Sequence, residues 1–116
     1  PKYWMFNERD GPSQPTLISK GTGYSGHLNF SPDSKWILGD SYPHLKTQYL
    51  CITDVASKKC NNIGAFYHSS KQKGDTRCDL HPRWSADGKY VSVDTIHYGE
   101  RKILVAESAQ IFDDLF

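Results

Sequence analysis

The residues best equipped for chemistry are imidazoles, guanidiniums and carboxylates. His27 opens the string His-Leu-Asn-Phe-Ser (27–31). His81 opens His-Pro-Arg-Trp-Ser (81–85), with Asp79 two residues before it. Imidazole and carboxylate together suit manganese, iron or zinc. The alternative for His27 and His81 is a hydrogen bond to a neighbouring part of the fold. Arg77 and Arg83 flank the same segment. A guanidinium grips a carboxylate through two parallel N–H groups. Each arginine therefore either binds an acidic ligand or closes an ion pair with Asp79 or Asp94. Tyr67 and His68 begin the polar stretch that leads into His81. They either reach the site from there or sit on the surface of a loop, as His44 and His97 do.

Other chemistries find no motif. Cys51, Cys60 and Cys78 form no CxxC pair, which excludes a zinc knuckle or a dithiol redox motif. Cys51 and Cys60 flank a predicted hairpin and could face each other, but an odd number of scattered cysteines reads as small buried apolar residues. There is no Gly-x-Ser-x-Gly elbow and no phosphate loop, and Gly21-Thr22-Gly23 reads as a linking turn.

These residues are positioned by a repeat. Residues 27–41 (HLNFSPDSKWILGDS) and 81–95 (HPRWSADGKYVSVDT) align without a gap at an offset of 54. His27 matches His81, Phe30 Trp84, Ser31 Ser85, Asp33 Asp87, Trp36 Tyr90 and Asp40 Asp94. In each copy a short strand precedes a Ser-x-Asp turn, in which Asp folds back on the backbone. A strand rich in aromatic and β-branched residues follows. Residues 28–30 read as a buried strand, so the glycosylation acceptor pattern at Asn29-Phe30-Ser31 is set aside. Residues 49–52 give a third strand and 60–66 a fourth. The second copy has a third strand over 102–106 and no clear fourth. The recurring Asp40 and Asp94 read as structural residues that cap a turn or satisfy backbone donors.

Four short antiparallel strands per repeat is the pattern of a β-propeller blade. The expected fold is all-β, a partial propeller of about two and a half blades built from four-stranded antiparallel meanders. Residues 1–20 would end a preceding blade, 21–66 form a complete blade, 67–80 a long loop, 81–107 most of a final blade, and 108–116 a tail, either helical or disordered. The chain has 116 residues, enough for one domain. Its net charge of +1 gives no electrostatic case for nucleic acid or an anionic membrane. A small β-sandwich is the alternative fold. The chain begins at Pro1, and the expectation is an excised C-terminal piece of a longer propeller. Its open faces would be covered by the remaining blades or by self-association.

The Ser-Pro-Asp type of turn resembles TolB-type and WD-like propeller repeats in general. The longer strings resemble one branch, the oligogalacturonate lyase family of seven-bladed propellers that cleave pectin fragments. Its His-x-Asn-x-Ser-x-Asp-x-x-Trp-x-x-Gly-Asp string is supplied here by His27, Asn29, Ser31, Asp33, Trp36, Gly39 and Asp40. The His-Pro opening of its next blade is supplied by His81 and Pro82, followed by Trp84, Ser85, Asp87, Gly88 and Lys89.

The resemblance implies a divalent metal, usually manganese, held by imidazoles at the starts of two adjacent blades. It implies metal-assisted β-elimination on an acidic oligosaccharide, initiated by a histidine base. His27 and His81 match metal histidines. Asp79 stands where the family has a further histidine, and no glutamine ligand stands near Thr76. Arg77, Arg83, Tyr67 and His68 are the candidate substrate-binding residues, and Tyr24 and Tyr42 could stack on a sugar. The base lies in an earlier blade, so this chain alone should be catalytically incomplete. The compartment is left open between the cytoplasm and the periplasm of a bacterium. The rival reading is a non-catalytic TolB-type scaffold or protein-binding module. A third is a propeller that gates a serine peptidase.

Overall fold

The two Ser-x-Asp turns fold alike. Ser31 Oγ donates to Asp33 Oδ1 at 2.6 Å and accepts from the Trp36 amide at 3.0 Å, while Asp33 Oδ1 accepts from the Lys35 amide. Ser85, Asp87, Lys89 and Tyr90 repeat this network at 2.7–3.0 Å. Each turn takes one residue with positive φ, Ser34 in the first and Gly88 in the second. These contacts are local, so each repeat sets its own hairpin.

The computed structural model describes residues 2–10, 14–19 and 26–115, and Gly21-Thr22-Gly23 and Tyr24 lie outside them. Strands β1 (Tyr3–Met5) and β2 (Thr16–Ser19) form a two-stranded antiparallel sheet. Strands β3 (Leu28–Phe30), β4 (Trp36–Asp40), β5 (Thr47–Asp54) and β6 (Cys60–Tyr67) form a four-stranded antiparallel meander in chain order. Strands β7 (Arg83–Trp84), β8 (Tyr90–Thr95) and β9 (Lys102–Glu107) form a three-stranded meander. The β3–β4 pairs Asn29–Leu38 and Phe30–Ile37 recur in β7–β8 as Arg83–Ser92 and Trp84–Val91, in the register that the repeat dictates.

The two larger sheets share a core. Leu38, Leu50, Leu80, Val91 and Val93 are buried together, with Ile63, Phe66, Trp84, Leu104 and Ile111 packed against them. β8 alternates strictly, with Val91, Val93 and Thr95 buried and Tyr90, Ser92 and Asp94 turned outward. β4 is buried from Ile37 to Asp40, as its unbroken apolar run predicts.

One local expectation needs correction. Residues 28–30 are exposed, with Leu28 and Phe30 each 43% accessible. Among the described residues β3 has a paired neighbour only on its β4 side, and the Trp84 indole reaches its Asn29 carbonyl at 3.2 Å. The glycosylation pattern fails for a different reason: Ser31 is buried and its hydroxyl is used in the turn. The tail, for its part, is a helix, α1 (Ser108–Leu115). Ser108 donates its amide to the Lys89 carbonyl at 2.9 Å and its hydroxyl to the Gly88 carbonyl at 2.6 Å. These bonds turn the chain out of β9 before a fourth strand can pair.

Phe112 of α1 lies against Trp36 (centroids 4.7 Å apart) and Trp84 (6.5 Å apart), joining the two repeats. Phe112→Ala should destabilise the chain by about 1–3 kcal/mol, less than a fully buried phenylalanine because Phe112 is half-buried. Thermal unfolding and a shift in tryptophan fluorescence report the effect.

Candidate metal centre

The approaches to β3 and β7 meet on one carboxylate. Asp40, wholly buried at the end of β4, accepts the His27 amide at 2.6 Å on Oδ1 and the His81 amide at 3.1 Å on Oδ2. His27 Nδ1 lies 3.2 Å from both Asp40 oxygens. Gly26 makes the approach possible: a Cβ there would sit 1.9 Å from the Asp40 carbonyl oxygen.

The second repeat departs from the first here. The Asp40 amide donates to the His27 carbonyl, but the Asp94 amide donates to Leu80, one residue before His81. His81 takes a left-handed backbone conformation, φ 43°. The one-residue slip brings it to the other repeat, and the His27 and His81 rings lie 4.1 Å apart between centroids.

His27, Asp79 and His81 each offer a ligand atom, and these atoms all lie within 4.8 Å of one another. Two imidazoles and a carboxylate suit a divalent first-row metal or zinc. Both Asp79 oxygens accept from Arg77, at 2.7 and 2.9 Å. A carboxylate has about four lone-pair positions, so this pair leaves capacity for a further partner. Burial pushes the Asp79 carboxyl up, but the Arg77 hydrogen bond and charge, with help from His27 and His81, hold it below the usual carboxylate range. Arg77 also lies 4.8 Å over the Tyr42 ring, which meets the His27 ring edge-on at 5.3 Å.

Beside this cluster opens a cavity of about 530 Å³, bordered by Tyr42, Lys46, His68, Lys73 and Arg77. Among the described residues no carboxylate lines it and neither lysine is in an ion pair. The other substrate candidates are dispersed. Arg83 is taken up by a two-pronged pair with Asp94 at 2.9 and 3.1 Å, which holds the Asp94 carboxyl low. Tyr67 lies off the cavity wall and donates its amide to His97 Nδ1. His68 is buried: Nδ1 bonds the Ser69 carbonyl and Nε2 accepts the Cys78 amide, so it pins the loop before Asp79. Gln48 holds the Cys78 carbonyl from β5 at 3.1 Å. Its place in a strand gave no sign of that role. Cys51, Cys60 and Cys78 form no disulfide among the described residues.

No protein-family model matches the chain, and no curated protein matches it. A solved structure does: TolB from Acinetobacter baumannii is similar with a TM-score of 0.61 and 18% identity, over 91% of this chain. The fold is a TolB-type β-propeller fragment. The chain spans 26% of that TolB chain, so its sheets correspond to part of a ring. The β3–β6 meander is then a four-stranded blade, and β7–β9 a three-stranded one followed by α1. At this identity the likeness carries the architecture alone.

Proposed function

We propose that this chain carries the divalent-metal centre of an oligogalacturonate lyase-like propeller, which acts on pectin-derived acidic oligosaccharides. The observation that supports the reading is the convergence of His27, Asp79 and His81 from the approaches to two adjacent blades. A manganese ion bound there would supply a Lewis acid to the uronate carboxylate, which acidifies the neighbouring C–H. The chain's own residues hold and orient. His27 and His81 present imidazoles, Asp79 presents a carboxylate kept ionised by Arg77, and Lys46 and Lys73 give the adjoining cavity a positive wall. In the elimination itself, a base outside this chain takes the proton, the glycosidic C–O bond breaks and a C=C bond forms.

The test is calorimetric titration of an oligogalacturonide into the chain with and without manganese. Binding that needs the metal, with no cleavage by the chain alone, is expected. Equal binding after chelation would count against the reading.

The second reading is a non-catalytic TolB-type scaffold or protein-binding module. The fold likeness to TolB and the closed Arg77–Asp79 pair favour it. In either reading the exposed Ile103 and Val105 of β9, and Trp4 and Phe6 near β1, are covered by further blades or by a second copy.

A further inference from the structure

Asp40 and Asp94 hold the same place in the repeat but have different partners. Arg83 occupies the repeat position of Asn29. In the second unit Arg83 grips Asp94 with two hydrogen bonds. In the first, asparagine carries no charge, and among the described residues no lysine or arginine lies within ion-pair distance of Asp40. Asp40 is nonetheless the more buried of the two. Its oxygens are committed to His27 and His81: two backbone amides and one imidazole nitrogen. A buried carboxylate is costly unless donors meet its lone pairs, and here those donors all come from His27 and His81.

We propose that Asp40 is the positioning residue of the metal centre. It fixes His27 with the Nδ1 proton directed at its own carboxylate, leaves Nε2 as the ligating nitrogen, and anchors the His81 segment to the same group. Both Asp40 oxygens already accept backbone amides, so they face donors and the His27 nitrogen directed at them is the one that carries the proton. A ligating histidine whose other nitrogen donates to a carboxylate has its tautomer and ring orientation set by that contact. The same carboxylate ties two blades, so loss of its charge should loosen both halves of the site together. The inference rests on reading His27, Asp79 and His81 as a metal site.

The first readout needs no variant. Long-range proton–nitrogen NMR of the metal-free chain at about pH 8, where imidazoles are ordinarily neutral, reports the His27 tautomer. An Nδ1–H tautomer is expected, and on addition of zinc alone the Nε2 signal should move. An Nε2–H tautomer, or ligation through Nδ1, overturns the proposal. The second readout is zinc affinity. Asp40→Asn should weaken it by about 10- to 100-fold, the cost typical of losing such an outer partner. Asp94→Asn, which breaks the ion pair at the matching repeat position and reaches His81 only through its charge, should weaken the affinity far less. Equal loss in both variants, or none in Asp40→Asn, overturns the proposal. If Asp40→Asn does not fold, the tautomer of the unmodified chain decides. If the unmodified chain takes up no zinc, the metal reading fails by itself, and the same spectrum still shows whether Asp40 sets the His27 proton.

Discussion

His81→Ala is expected to lower manganese or zinc affinity by about 100-fold or more, with little change in the fold. Loss of an outer partner alone costs about 10- to 100-fold, and removal of a direct ligand should exceed that. His81 is exposed, and its backbone amide, which holds the segment to Asp40, survives the substitution. Stability should therefore change little. Release of the left-handed conformation adds no gain, because alanine at φ 43° is no better accommodated than histidine. Metal titration and thermal unfolding of both proteins separate the two effects. A variant with unchanged affinity would remove His81 from the centre.

The second large effect is on stability. Leu80→Ala should cost about 2–5 kcal/mol, the range for a fully buried leucine that leaves a cavity. Leu80 is inaccessible to solvent and packs with Leu38, Leu50, Val91 and Val93 where the two sheets meet. Its carbonyl also accepts the Asp94 amide at 2.8 Å. It lies between Asp79 and His81 in the chain, so the cavity should weaken metal binding as well. Leu80→Met, which keeps most of the volume, should restore most of both properties. Denaturant unfolding measures the first and metal titration the second. A loss under 1 kcal/mol would show that the sheets do not depend on this core.

The parts of the fold that were legible in the sequence are those built by local chemistry. The Ser31–Asp33 and Ser85–Asp87 turns are closed by residues at most five positions apart, and their repetition at a fixed offset gives the strand register of both units. The propeller architecture followed from that repetition. The exposure of β3 was not legible, because an apolar Leu28 and Phe30 look the same whether or not a neighbour covers them. The tail was placed from residue 108, but the choice of helix over disorder was not legible, because it depends on Ser108 reaching back across 20 residues to Gly88.

The candidate site divides in the same way. The ligand types and the Arg77–Asp79 pairing option are visible in a short string. Whether Arg77 and Arg83 hold Asp79 and Asp94 or an acidic ligand could not be chosen from the sequence, and in the structure each makes its ion pair. Asp40 read as a structural residue that caps a turn or satisfies backbone donors, and it does accept backbone amides, but which ones was not visible. Its actual partners include the His81 amide, 41 residues away, brought close by a one-residue slip that breaks the repeat. A departure from periodicity at a candidate site carries more information than the periodicity, but it appears only when the two blade starts are seen side by side.

The most direct test of the account is metal uptake by the unmodified chain. After removal of metal with a chelator, manganese and then zinc are titrated in and the bound metal is counted. The account predicts one equivalent per chain and a rise in the unfolding midpoint on binding. A chain that takes up neither metal while remaining folded would contradict it, and would leave His27, Asp79 and His81 as a hydrogen-bonded junction between two blades.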